Sequence, residues 1–142
     1  MYKVICILGK SGVGKDTLAK ELCSNKKYHF VKSYTTREIR KNDPEDINHH
    51  TFVKKSFREE FNERDILVEY RNEKLGYCSW TSSDLFDEYK INVYVVDIDA
   101  YIKLSKKSDF KCIGIYLKLS ELEREKRYKC RYFKYFKMWS LY

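Results

Sequence analysis

Nine residues near the start, Gly9-Lys10-Ser11-Gly12-Val13-Gly14-Lys15-Asp16-Thr17, have the glycine and lysine spacing of a phosphate-binding loop. Glycines let such a loop wrap so that successive backbone N–H groups point inward at phosphate oxygens. A helix starting at Lys15 would add its positive dipole end. Lys15 itself would reach the β- and γ-phosphates of ATP. A Ser or Thr usually follows the lysine and places its hydroxyl on Mg²⁺, but here Asp16 stands there. A carboxylate is a hard ligand suited to Mg²⁺, and Thr17 supplies a hydroxyl one place later.

Two further groups carry charge of the right kind. Asp97 ends the apolar run Val93–Val96, where an acid can act on Mg²⁺ in loops of this class, with Asp99 two residues on. The alternative role for Asp97 is a cap on the next helix. In Ser33-Tyr34-Thr35-Thr36-Arg37-Glu38-Ile39-Arg40, two arginines three apart follow a cluster of hydroxyls. That set can grip a phosphate through forked charged hydrogen bonds, or it can be an ordinary solvated loop.

The elements that would position these groups follow from the apolar pattern. Val4–Leu8, ended by Gly9, reads as a buried parallel strand. A helix is expected over 15–24, a strand over 30–34, and a polar loop with the single proline, Pro44, over 35–50. Phe57 and Phe61 mark a short helix over 56–64. Strands are expected at 66–70 and 77–80, a helix from Ser82 to Tyr89, a strand at 93–97 and a helix over 100–106. A strand over 112–119 and a charged helix from Ser120 complete the pattern. Strands alternating with helices predict an α/β fold on a parallel sheet, with the loop-rich stretch 33–90 inserted into it.

Composition narrows the class. The chain has 142 residues, 43% hydrophobic and 16% aromatic, which excludes a disordered polymer. It suits one domain. No apolar stretch has the length of a membrane helix, and the start is too soon interrupted for a signal peptide, so no membrane partner and a cytoplasmic location are expected. Five scattered cysteines without a C-x-x-C pair are expected to be reduced thiols. With 29 basic and 21 acidic residues the net charge is +8, which suits a phosphate-bearing partner.

The order of these pieces resembles the guanylate kinase family of nucleoside monophosphate kinases. In that family a P-loop is followed by Ser-x-Thr-Thr-Arg-x-Pro-Arg, matched here by Ser33, Thr35, Thr36, Arg37 and Arg40, with Ile39 in place of the proline. The family's Asp-Tyr-x-Phe-Val is similar to His49-His50-Thr51-Phe52-Val53, so His49 or His50 replaces the phosphate-binding tyrosine. Leu67-Val68-Glu69 resembles the segment whose glutamate reads guanine. Tyr77-Cys78-Ser79 resembles the segment that touches phosphate and base, and Val96-Asp97-Ile98-Asp99 the family's Leu-Asp-Ile-Asp. The stretch around Arg124 and Arg127 resembles the start of the lid. The resemblance runs from about residue 3 to residue 127.

It implies a P-loop NTPase three-layer sandwich with a parallel sheet and an inserted NMP-binding subdomain. The core would be 1–32 and 91–127, the insertion 33–90, and 128–142 a divergent basic aromatic tail. It implies ATP and Mg²⁺ as cofactors, with Asp16 and Asp97 toward the metal. GMP or dGMP would be the acceptor, bound by Ser33, Arg37, Arg40, His50, Glu69, Tyr77, Ser79 and Asp99. Lys15, Arg37, Arg124 and Arg127 would act on the transferred group.

The resemblance stops at the tail, where seven of the last fifteen residues are aromatic and the net charge is +4. The family's last core strand is expected to be missing, leaving a sheet edge open to self-association as a homodimer. The tail's Tyr132, Tyr135, Phe136 and Trp139 have the spacing of a helix face. Three alternatives remain open: a nucleotide-binding module without turnover, a P-loop kinase for another small phosphorylated substrate and, last, a nucleic-acid binder.

Overall fold

In the computed structural model, which describes residues 1–41, 43 and 46–139 and side chains as far as Cys130, the apolar run at the start forms β1, Tyr2–Gly9. It is followed by α1, Lys15–Cys23, and by β2, Tyr28–Phe30. After a second set of elements come β7, Ile91–Val95, α4, Ile98–Ser105, β8, Phe110–Leu117, and α5, Glu121–Trp139. These strands make a four-stranded sheet in the order β2-β7-β1-β8, parallel throughout. Alternation along β1 divides its side chains between two cores. Val4, Cys6 and Leu8 pack with Tyr94, Val96, Ala100, Leu104 and Phe110 beside α4. Ile7 packs with Val93 and Ala19 of α1, flanked by Leu18, Leu22 and Phe30. The sheet is therefore covered by helices on both faces, as a parallel sheet of β-branched runs requires.

The intervening residues build a second sheet. It contains β3, Ser33–Thr35, β4, His50–Phe52, β5, Ile66–Asn72, and β6, Tyr77–Ser82, in the order β4-β3-β6-β5. Short helices α2, Asp46–His49, and α3, Lys55–Glu59, lie between these strands in the chain. Trp80 anchors this sheet. It is buried, with Tyr34, Phe57 and Phe61 rings at 5.4–6.4 Å from its own.

Several expected elements are corrected. The single strand over 30–34 is two strands in two sheets. Val31 still donates to the Val93 carbonyl at 3.0 Å, and the chain leaves for the second sheet only after it. The stretch 35–50 contains α2 and the first residue of β4, while Pro44 lies outside the described residues. The helix over 82–89 is only a 3₁₀ turn, Ser83–Leu85. The Ser82 hydroxyl bonds the Asp84 carboxylate and caps no backbone N–H. Buried Asn92 then holds the backbone N–H and carbonyl of Asp87, fixing an irregular path. Helix α5 runs through 127 and 128, where the divergent tail begins in the sequence. Ser120 caps this helix by accepting from the Glu123 N–H at 3.2 Å, and Glu121 and Glu123 favour its N-terminal dipole. The expected aromatic face of the tail falls outside the described side chains.

Candidate active site

The glycine- and lysine-rich loop 9–17 lies between β1 and α1, as its residues predict. Gly14 enters the helix at φ 99° and Gly9 holds φ 141°, both in the region that favours glycine. At Gly9 a β-carbon would also meet the Leu117 carbonyl oxygen at 2.5 Å, so β8 can pass close behind the loop. Lys15 Nζ donates to the carbonyls of Gly9 at 2.8 Å and Lys10 at 3.1 Å, which stations the ammonium across the loop. Ser11 is exposed in the loop, and Lys10 pairs with Glu121 at 3.4 Å. Arg127 donates to the Val13 carbonyl at 3.2 Å, and the Tyr128 ring lies against Gly12. Gly12, Gly14, Thr17, Arg127, Tyr128 and Cys130 enclose a cavity of about 230 Å³ there. Arg124 is not brought to this cavity. It is half-buried, and its Nε has no hydrogen-bond partner among the described residues.

A second cleft, of about 250 Å³, lies where the second sheet meets the ends of β7 and α4. Ser33, Arg37, Arg40, His50, Tyr77 and Ser79 line it, together with Val68, Tyr70, Thr81 and Asp97. Six residues expected at an acceptor site thus converge. His50, rather than His49, is the histidine at the cleft. Its Nδ1 is 3.0 Å from the Ser33 hydroxyl. Burial and the nearby Arg37 charge push its pKa below the ordinary value, which keeps the imidazole neutral near pH 7.

Arg37 is organised by a residue that sequence reasoning did not single out. Asp46 accepts from both Arg37 terminal nitrogens, at 2.9 and 2.8 Å, and from the Arg40 backbone N–H at 2.8 Å. The pair is nearly dry, with side chains 14% and 4% exposed. Burial pushes the Asp46 carboxyl up, but the Arg37 and Arg40 hydrogen bonds outweigh it and hold the carboxyl below the usual range. Arg37 also donates to the Glu38 carbonyl at 2.8 Å and lies over the Phe52 ring at 5.3 Å. Among the described residues, three of its five N–H donors are used in these bonds. The sequence signal was an acid a few residues beyond the two arginines, hidden in a stretch that read as polar loop.

Two expected acceptor residues are not at the cleft. Glu69, paired with Trp80 in the register of β5 and β6, does not line the cleft, and Arg58 Nε and Arg71 Nε donate to its two oxygens at 2.8 and 3.0 Å. Burial pushes its carboxyl up, but those hydrogen bonds hold it below the usual carboxylate range. Asp99 sits in the first turn of α4 and is exposed.

The expected metal carboxylates are separated by their local partners. Asp97 Oδ1 accepts from the Ala100 N–H at 2.7 Å, so Asp97 does cap α4, and it also lines the cleft. Asp16 is 3.7 Å from His49 Nδ1, on the side of α1 that faces α2. Among the described residues no group of three His, Cys, Asp or Glu is arranged to hold a metal by itself. The single Asp97 carboxylate at the cleft, with one oxygen not used by the Ala100 N–H, fits Mg²⁺, which is usually held by one or two protein oxygens and completed by substrate phosphates and water.

The family model described as guanylate kinase matches residues 1–132. The chain belongs to the guanylate kinase family. Curated guanylate kinases include one from Clostridium tetani, 29% identical over 106 residues, and one from Clostridium perfringens, 30% identical over 108. These alignments cover 72% and 74% of this chain and 50% of each relative, so the chain spans about half the length of these relatives. A guanylate kinase from Prochlorococcus marinus is 26% identical over 92% of this chain and 73% of its own. The crystal structure of guanylate kinase from Anaplasma phagocytophilum superposes with a TM-score of 0.65 at 18% identity, covering 99% of this chain and 73% of that one. This likeness bears out the expected α/β fold on a parallel sheet. Among the described residues no helix is long and apolar enough to cross a membrane.

Proposed function

We propose that this guanylate kinase family member transfers the γ-phosphoryl group of ATP to a nucleoside monophosphate, with GMP or dGMP the first acceptors to test. The observation that carries this reading is the pairing of a glycine-lysine loop at the end of β1 with a separate cleft holding two arginines organised by Asp46. Lys15 draws charge from the transferred group, and Arg37 and Arg40 hold the acceptor phosphate with Ser33, His50 and Tyr77. Arg127, already on the loop, closes over the phosphates. Bound Mg²⁺ would offset phosphate charge, with Asp97 and the Thr17 hydroxyl as its protein oxygens. No general base is required, because the acceptor phosphate is already ionised. Closure of α5 over the loop excludes water that would otherwise hydrolyse ATP.

In this reading residues 1–32 and 91–127 form the ATP-binding core and 33–90 the acceptor-binding insertion. The separate sheet formed within 33–82 supports that division. The exposed edge of β8, with Ile113 and Tyr116, is the surface on which a homodimer would form. Sedimentation that gives a monomer at every concentration removes this assembly. A cytoplasmic setting agrees with the free cysteines and is part of the same proposal.

ADP formation from Mg-ATP with GMP, dGMP, AMP, UMP and CMP tests the activity on the full 142-residue chain. Acceptor-dependent ADP supports transfer. The second reading, a nucleotide-binding module without turnover, is favoured by Lys15 and Arg127 bonding the loop's own carbonyls. Monophosphate binding with no ADP would select it.

A further inference from the structure

The hairpin between β5 and β6 decides which side chains meet an acceptor. Residues directly opposite in an antiparallel pair share a face, and successive residues alternate. Tyr70 pairs with Ser79 and Asn72 with Tyr77, so Tyr70, Ser79 and Tyr77 share one face and line the cleft, while Glu69, one residue out of step, does not line it and meets Arg58 and Arg71 instead. The connection 73–76 fixes this register. Gly76 turns at φ 64° and donates to the Asn72 carbonyl at 2.8 Å, and the Asn72 side chain accepts from the Leu75 N–H at 3.0 Å. Glu69 is 17% exposed and bound on both oxygens by arginines. Bringing it to the cleft would break two charged hydrogen bonds and turn the strand over.

What remains on the cleft face is aromatic and neutral. Tyr70 is 52% exposed, with its ring 6.3 Å from that of Tyr77. Ser79 and Thr81 offer hydroxyls already engaged with Thr35 and Tyr94. Among the described lining residues Asp97 is the one carboxylate, and the Ala100 N–H occupies one of its oxygens. A guanine edge presents N1–H and an amino group, two donors that a carboxylate would grip together. Neutral hydroxyls accept such donors far more weakly. An aromatic ring, in contrast, stacks on every base, because every base has a π-face.

Taking the acceptor-site reading above as its basis, we propose that this site recognises the base by stacking on Tyr70, without a carboxylate from β5 or β6, and takes nucleoside monophosphates with weak discrimination among bases. Glu69 is a structural partner of Arg58 and Arg71.

Titration calorimetry on the full chain tests this without requiring turnover. The expected result is that GMP, inosine monophosphate and AMP bind the parent chain within about tenfold of one another. Tyr70→Ala weakens all three by about tenfold, the scale of one lost stack, and Tyr70→Phe restores them. Glu69→Gln leaves the GMP-to-AMP ratio within about twofold. A hundredfold preference for GMP over AMP or inosine monophosphate in the parent overturns the proposal, and needs no variant to fold. A guanine preference that Glu69→Gln removes, or Tyr70→Ala binding like the parent, also overturns it. Failure of every monophosphate to bind removes it together with the acceptor site. GMP binding without ADP formation removes only the transfer reading, and the base comparison still decides this one.

Discussion

The two sheets hold their functional groups by different means. In the parallel sheet, β1 is central, its side chains are sorted into two apolar cores, and the glycine-lysine loop emerges directly from its end. In the second sheet the core is one aromatic cluster around Trp80, and the cleft residues are held by charge and hydroxyl pairs: Arg37 with Asp46, Ser33 with His50, Thr35 with Ser79. The first region positions groups by packing. The second positions them by polar contacts that fail if one partner is removed.

The sharpest break of that comparison is Asp46→Ala. Removing one member of a buried pair leaves the other charge uncompensated and costs about 3–5 kcal/mol. Chemical unfolding of the variant is expected to show a loss of that size. An Arg37→Met, Asp46→Leu double variant should recover most of it, since an apolar pair of similar volume is often neutral or better. A single variant within about 1 kcal/mol of the parent would mean that the pair contributes little, and the contrast between the sheets would collapse.

Lys15→Ala probes the other region. Lys15 bonds carbonyls of its own loop, so its removal is expected to leave the melting curve near the parent's. ATP-dependent turnover should fall by about 10²–10³-fold, the scale for deleting one preorganised donor to developing charge. Turnover unchanged in a folded variant would remove Lys15 from the chemistry.

The same difference explains what the sequence disclosed. The loop at 9–17 was legible because its signal is contiguous: an apolar run, glycines and a lysine at fixed spacing. The parallel strands were legible because each is a short β-branched run. Glu69 was misplaced because its side depends on the register of a hairpin, and a one-residue change in register moves a side chain to the opposite face. Asp46 was missed because its importance lies in a fold of the loop that brings it back to Arg37. The stretch 30–34 reads as one strand because nothing local marks the point where a chain passes between sheets. Histidine position followed the same rule, with His49 and His50 adjacent in sequence but facing Asp16 and the cleft respectively.

Acid should separate the regions as well. His50 has its pKa lowered on folding, so the unfolded chain binds its proton first, and stability falls as pH drops below the ordinary value of 6.5. Asp46 and Glu69 have lowered carboxyl pKa values. Their contribution is complete above the ordinary carboxylate range and is lost as pH falls through their depressed folded values. Urea midpoints measured against pH should therefore decline in two stages, the second reduced in Asp46→Ala. A midpoint flat from pH 7 to pH 3 would contradict both assignments.

Asp97 gives the smallest effect and the finest separation, because it serves packing and chemistry at once. As the N-cap of α4, its loss in Asp97→Ala should cost about 1 kcal/mol. Asn is an equally good cap, so Asp97→Asn should melt with the parent while lacking the charge that would meet Mg²⁺. If Asp97 is only a cap, Asn keeps full turnover and the Mg²⁺ dependence of the parent. If it is also the metal carboxylate, Asn keeps the fold but needs more Mg²⁺ for half-maximal turnover. The expected result is the second, since Asp97 is the described carboxylate that lines the cleft beside the arginines, whereas Asp16 pairs with His49 outside it.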